Sequence, residues 1–113
     1  IALEERVVNL MSGGAYRYVK LGVTVEIRPP SADFYALTGE ARHAAEELLH
    51  KDHEAAVPLM LDAVGRVAGA HTSDELGTPE GRAALKEEIH HAMGEILGEH
   101  EVLGVYFTDM VMQ

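Results

Sequence analysis

Hydrophobic and polar residues alternate almost strictly from Arg17 to Arg28. Val19, Leu21, Val23, Val25 and Ile27 fall on one side, and Tyr18, Lys20, Thr24, Glu26 and Arg28 on the other. A period of two predicts a strand with one covered face. Val7-Val8-Asn9-Leu10 is a shorter strand candidate, and Met11-Ser12-Gly13-Gly14 reads as a turn or loop, compatible with a hairpin. Pro29-Pro30 ends the long strand, because neither residue can donate to a ladder.

The middle of the chain changes period. Ala41, Ala44, Ala45, Leu48 and Ala55 keep helical spacing between Thr38 and Ala55, and Pro58 kinks that helix or starts a new one, whose stripe is Leu59, Met60, Ala63, Val64 and Val67. Thr72 to Glu75 has capping-box spacing ahead of a stop at Gly77, which predicts a single helical turn. Thr78-Pro79-Glu80 opens the last helix: a cap, a proline suited to the first helical position, and an acid at the positive end of the dipole. Its stripe is Leu85, Ile89, Ala92, Met93 and Ile96, with Gly98 as the stop. Val102 to Gln113 follows as a strand apolar on both faces except at Thr108 and Asp109, and so is expected to be buried. These elements close into one structure if the last strand joins the first two in a small sheet, with the helices packed across it. The expected class is α+β, in a single domain over residues 1–113.

Composition narrows the partners. Nine basic against 19 acidic side chains give a formal charge of −10, and no segment gathers a basic stripe, which argues against nucleic acid. Cysteine is absent, so disulfides, thiolate metal sites and cysteine nucleophiles are excluded together. No run reaches the ~20 apolar residues that span a bilayer. The chain opens on Ile1 with no initiator Met and so reads as a fragment or a processed form, which leaves room upstream for an anchor or export signal.

Seven histidines among many glutamates invite a metal hypothesis. Glu47-x-x-His50 and Glu88-x-x-His91 have the spacing of di-iron carboxylate bundles, and His50-x-x-His53 adds a two-nitrogen clip. On a helical wheel, however, Glu47, His50 and Glu54 face away from the apolar stripe, as do Glu87 and His90, while Glu88 and His91 lie on a flank. Such ligands would need a dimer to meet, so a dimerising metal-binding module stands as the second reading. His43, His71 and His100 sit near caps and loops and are assigned no role. None of Ser12, Ser31 and Ser73 lies in a nucleophile elbow, and Ser12-Gly13-Gly14 lacks the lysine and helix of a phosphate loop. Asp62 is a candidate buried acid, an Arg66 partner one turn on, or a solvent-facing residue. No catalytic constellation emerges, and no enzyme is expected.

Three segments carry a resemblance to a known family. Arg17 to Glu26 resembles a strand in which an aromatic and a lysine precede alternating hydrophobics. Thr72 to Lys86 is similar to a threonine-acid-leucine turn followed by a glutamate-glycine helix start, and Val105-Tyr106-Phe107-Thr108-Asp109-Met110-Val111-Met112-Gln113 to a closing run that ends on glutamine. With Val8-Asn9-Leu10 these span nearly the whole chain, which resembles the periplasmic domain of the FliL family of flagellar basal-body-associated proteins. Carried over, the motif positions are Thr78, Glu80, Gly81, Leu85, Val105, Tyr106, Phe107, Thr108, Asp109 and Gln113, in structural and not catalytic roles. The resemblance implies a fold like the stomatin and prohibitin (SPFH) domains and a single-pass anchor upstream. It further implies a place at the periplasmic face of the inner membrane, and ring-forming association with MotA/MotB-like stator units and the basal body in support of torque, swimming or swarming. It implies no cofactor and no metal.

Overall fold

The computed structural model describes residues 1–29 and 36–113. The expected strand stop at Pro30 and the candidate Ser31 lie outside the described residues. Three antiparallel strands form one sheet in the order β1 (Arg6–Asn9), β2 (Tyr18–Ile27), β3 (Val102–Met112). Among the described residues, four α-helices stand between β2 and β3: α1 (Gly39–His53), α2 (Val57–Ala68), α3 (Ser73–Leu76) and α4 (Pro79–Leu97), with a 3₁₀ turn at Glu54–Ala56 linking the first two. The chain is therefore α+β, and its last strand does join the first hairpin.

The alternation in β2 decides the architecture. Val19, Leu21, Val23, Val25 and Ile27 are all buried, and they meet Met60, Ala63 and Val64 of α2, Leu76 of α3, and Leu85, Ile89 and Met93 of α4 in one core. β2 is central and paired along both edges. β3 runs along one side, and β1 along the other, extended by the Leu3 N–H donating to the Val23 carbonyl at 2.9 Å and the Val25 N–H donating to the Ile1 carbonyl at 2.8 Å. Every backbone group of a buried strand needs a partner, and this arrangement supplies them.

Helix ends follow the sequence closely. The Thr72 hydroxyl accepts from the Glu75 N–H at 3.2 Å, and the Thr78 hydroxyl from the Gly81 N–H at 2.9 Å. Pro58 starts α2 near its first position, so of the two options it begins a new helix. Gly98 ends α4 with φ +106, a conformation that strongly favours glycine.

Two expectations change. β3 lies at the sheet edge and is not buried on both faces. Val102 and Val105 are buried and Phe107, Met110 and Met112 half-buried on the helix side, whereas Leu103, Tyr106 and Val111 are exposed. Register shifts opposite Gly22/Val23 and Glu26/Ile27 mark bulges in this pairing, which bend the edge. In α1, the inward side is Arg42, Ala45, Leu49 and His53, one position on from the expected stripe, and Leu48 is exposed. No α1 residue is fully buried, because only Leu49 reaches the margin of the core.

Candidate functional site

The family-like positions separate into a helix junction and an edge strand. At the junction, the Thr78 hydroxyl donates to the Glu75 carbonyl at 2.9 Å while accepting from the Gly81 N–H, so one side chain closes α3 and opens α4. Gly81 is required there by space: a Cβ at that position would collide with the Glu75 carbonyl. Leu85, one turn further on, is fully buried and pins α4 to the sheet. Glu80 is exposed at the first turn, facing the edge strand.

That edge strand carries the terminal motif. Val105 pairs with Val25 and Phe107 with Val23 on the helix side, while Tyr106 pairs with Thr24 on the opposite face and its hydroxyl donates to Glu26 Oε1 at 3.3 Å. Thr108 occupies the bulge beside Gly22, where a glycine Cβ would strike its hydroxyl, and Asp109 pairs with Gly22 itself. Gln113 closes the sheet through its backbone, exchanging hydrogen bonds with Tyr18 at 2.8 and 3.0 Å.

Between α4 and β3 runs a groove of about 910 Å³, lined by Glu80, Lys86, His90, Val105, Tyr106 and Phe107 among others. The Lys86 ammonium stands 5.6 Å from the Phe107 ring centre and 5.9 Å from that of Tyr106, within cation–π range of both. His90 Nε2 lies 3.2 Å from the Val102 carbonyl at the groove's end. The structure thus brings Glu80, Val105, Tyr106 and Phe107 to one groove, while Thr78 and Gly81 form the α3–α4 junction and Leu85 lies in the core. Thr108, Asp109 and Gln113 lie along the strand beyond.

The histidine assignments divide. Glu88 and His91 turn to different partners: Glu88 to His71 at 2.9 Å, His91 to Glu95 at 2.8 Å. His43 pairs with Glu47 at 3.0 Å along the α1 surface, and His53 Nδ1 meets the Leu49 carbonyl. Among the described residues, no group of three or more histidine or acidic side chains is placed to hold a metal ion. Asp62 is exposed, so of its three readings the buried acid is excluded.

His71, to which the sequence assigns no role, is held between two acids. Its side chain is only 11% exposed, with Nδ1 at 2.8 Å from Glu75 Oε2 and Nε2 at 2.9 Å from Glu88 Oε2. Burial pulls its pKa down, but the hydrogen bonds and charges of Glu88 and Glu75 outweigh this and hold it above the ordinary imidazole value. Glu75 is correspondingly held below the usual carboxylate range, chiefly by its bond to His71. The i,i+4 spacing to Glu75 was available in the sequence; the approach of Glu88, seventeen residues on, was not.

Comparison with known proteins bears on the whole of this framework. The profile of the family described as flagellar basal body-associated protein FliL matches residues 1–113. The chain belongs to the FliL family. It is also 34% identical over 89 residues to the flagellar protein FliL of Aquifex aeolicus (strain VF5), an alignment that covers 79% of this chain and 55% of that protein. The chain therefore spans about half the length of the curated relative it matches. FliL is a flagellar basal-body-associated protein, and its family is an accessory family of the flagellum, not a known enzyme family. No described helix of this FliL chain is long and apolar enough to cross a membrane.

Proposed function

We propose that this FliL chain is a single, non-catalytic, SPFH-like domain that braces the flagellar motor from the periplasmic face of the inner membrane, held there by an anchor upstream. In this reading copies assemble into a ring about MotA/MotB-like stator units and support torque, swimming and swarming. The observation that carries it is the family match over the full 113 residues. The geometry suits such a role in one respect: the terminal motif lies on an edge strand, beside an open groove of mixed apolar and charged lining. Edge strands and grooves of this kind present surface to a neighbour without any reactive group. A contact that links successive copies head to tail joins two different patches, and closes into a ring only if the rotation between copies allows it.

The test is genetic and biochemical together. Deleting the full-length gene should reduce swimming in viscous medium while leaving filaments assembled, and the intact protein should restore it. Lys86→Glu, which changes an exposed groove residue without touching the core, should fail to restore motility and should no longer co-purify with stator proteins from solubilised membranes. Normal motility under load in the deletion strain would refute the proposal.

A further inference from the structure

We propose that His71 is a proton-dependent clasp that locks α3 and the β1–β2 turn onto α4, and that loss of its proton loosens the rim of the groove between α2 and α4. The inference starts from donor and acceptor counting. Ionised carboxylates only accept hydrogen bonds, and His71 presents one ring nitrogen to Glu75 on α3 and the other to Glu88 on α4. A neutral imidazole has a single N–H, so it can satisfy one of these acids and must turn a lone pair on the other. Only the imidazolium satisfies both.

What the clasp holds is set by its neighbours. The His71 carbonyl accepts from the Met11 N–H at 2.9 Å, and Ser73 Oγ accepts from the Tyr16 N–H at 3.0 Å, so the segment behind the histidine carries the β1–β2 turn. Gly14 is packed so closely on Ser73 that a side chain there would strike its hydroxyl. On the other side Glu88 belongs to α4 and lines a groove of about 720 Å³ with Arg66 and Val67 of α2 and His91. Among the described residues, Glu75 and Glu88 are the charged side chains bonded to the ring, and the β1–β2 turn meets this residue through the Met11 N–H on its carbonyl. Arg66 and His91 border the same groove as Glu88, with His91 paired to Glu95 at 2.8 Å.

The direction of the pH effect follows. A histidine whose pKa is raised on folding contributes stability that is fully present below its unfolded value of about 6.5 and is lost as pH rises through the folded value. The clasp is closed in mild acid and opens on the alkaline side.

Nitrogen-detected NMR of the wild-type chain tests this without any variant. Both His71 ring nitrogens should be protonated at about pH 6.5, and the ring should titrate above that value. In Glu88→Gln the titration should move down, and amide exchange in residues 72–77, corrected for intrinsic rate, should quicken at a lower pH than in the wild type. Thermal stability of the wild type should fall from about pH 6 to about pH 9 more steeply than that of His71→Gln. A His71 that titrates at or below the ordinary value, or exchange in 72–77 that does not respond to its titration, would overturn the clasp. Loss of motility in Lys86→Glu bears on the proposed function alone, and these measurements bear on the clasp alone.

Discussion

At the scale of single residues, the family-like motif is explained by contacts and not by reactivity. Thr78, Gly81 and Leu85 form one mechanical unit in which a hydroxyl bridges two helices, a missing side chain admits a carbonyl, and a leucine anchors the result. Gly81→Ala should therefore destabilise the chain by about 2 kcal/mol or more, since the added methyl meets backbone that cannot rotate away. For a domain of this size that corresponds to a fall in Tm of about 8 °C or more, measurable by calorimetry. A change within about 1 °C would show that α3 and α4 separate freely and that the close approach carries no strain. The sequence displayed Thr78 and the proline after it as a helix start, because capping acts within four residues. It did not display why residue 81 is glycine, because the obstruction belongs to the preceding helix. His71 was hidden for the same reason: one of its acids is local and the other is brought by the fold.

Elements were more legible than residues wherever one face is fully buried. β2 could be read to within a residue, because five alternating hydrophobics admit a single register. α4 was equally clear from its caps and its stripe. α1 was not, since alanines spread around a helix fix no unique face, and the side that turned inward is led by Leu49 instead of Leu48. A helix without a buried residue depends on its own propensity and on surface pairs such as Arg42 with Glu46 at 2.7 Å, each worth only a few tenths of a kcal/mol. Amide exchange in α1 should accordingly be at least about 100-fold faster, relative to intrinsic rates, than in the buried turns of α4. Hydrogen-exchange mass spectrometry resolves the two helices on separate peptides. Equal protection would mean that α1 is held by contacts its exposed surface does not reveal. The edge strand β3 falls between these cases: its hydrophobic content announced a strand, but content on both faces could not say which face the helices would cover.

On the scale of the whole molecule, charge outweighs the visible ion pairs. The formal charge is −10, while the pairs Lys20–Glu5 and Arg42–Glu46 are exposed, and pairs of that kind contribute about 0–1 kcal/mol each. Repulsion among the remaining carboxylates acts over the full body, whose extents are 49 × 25 × 25 Å. At an ionic strength of about 0.01 M the screening length is about 30 Å and spans that width, whereas at 0.1 M it is about 10 Å and does not. Adding salt over this range should therefore raise Tm by a few degrees at neutral pH, because the repulsion it removes exceeds the attraction it weakens. The same reasoning extends to contacts between copies in the proposed ring, since two chains of like charge approach more readily when screened. Sedimentation at rising sodium chloride should show association of the chain strengthening, with Tm and association moving together. If both fell instead, local ion pairs would outweigh net charge, and Lys20–Glu5 would be the first pair to exchange in search of the contact responsible.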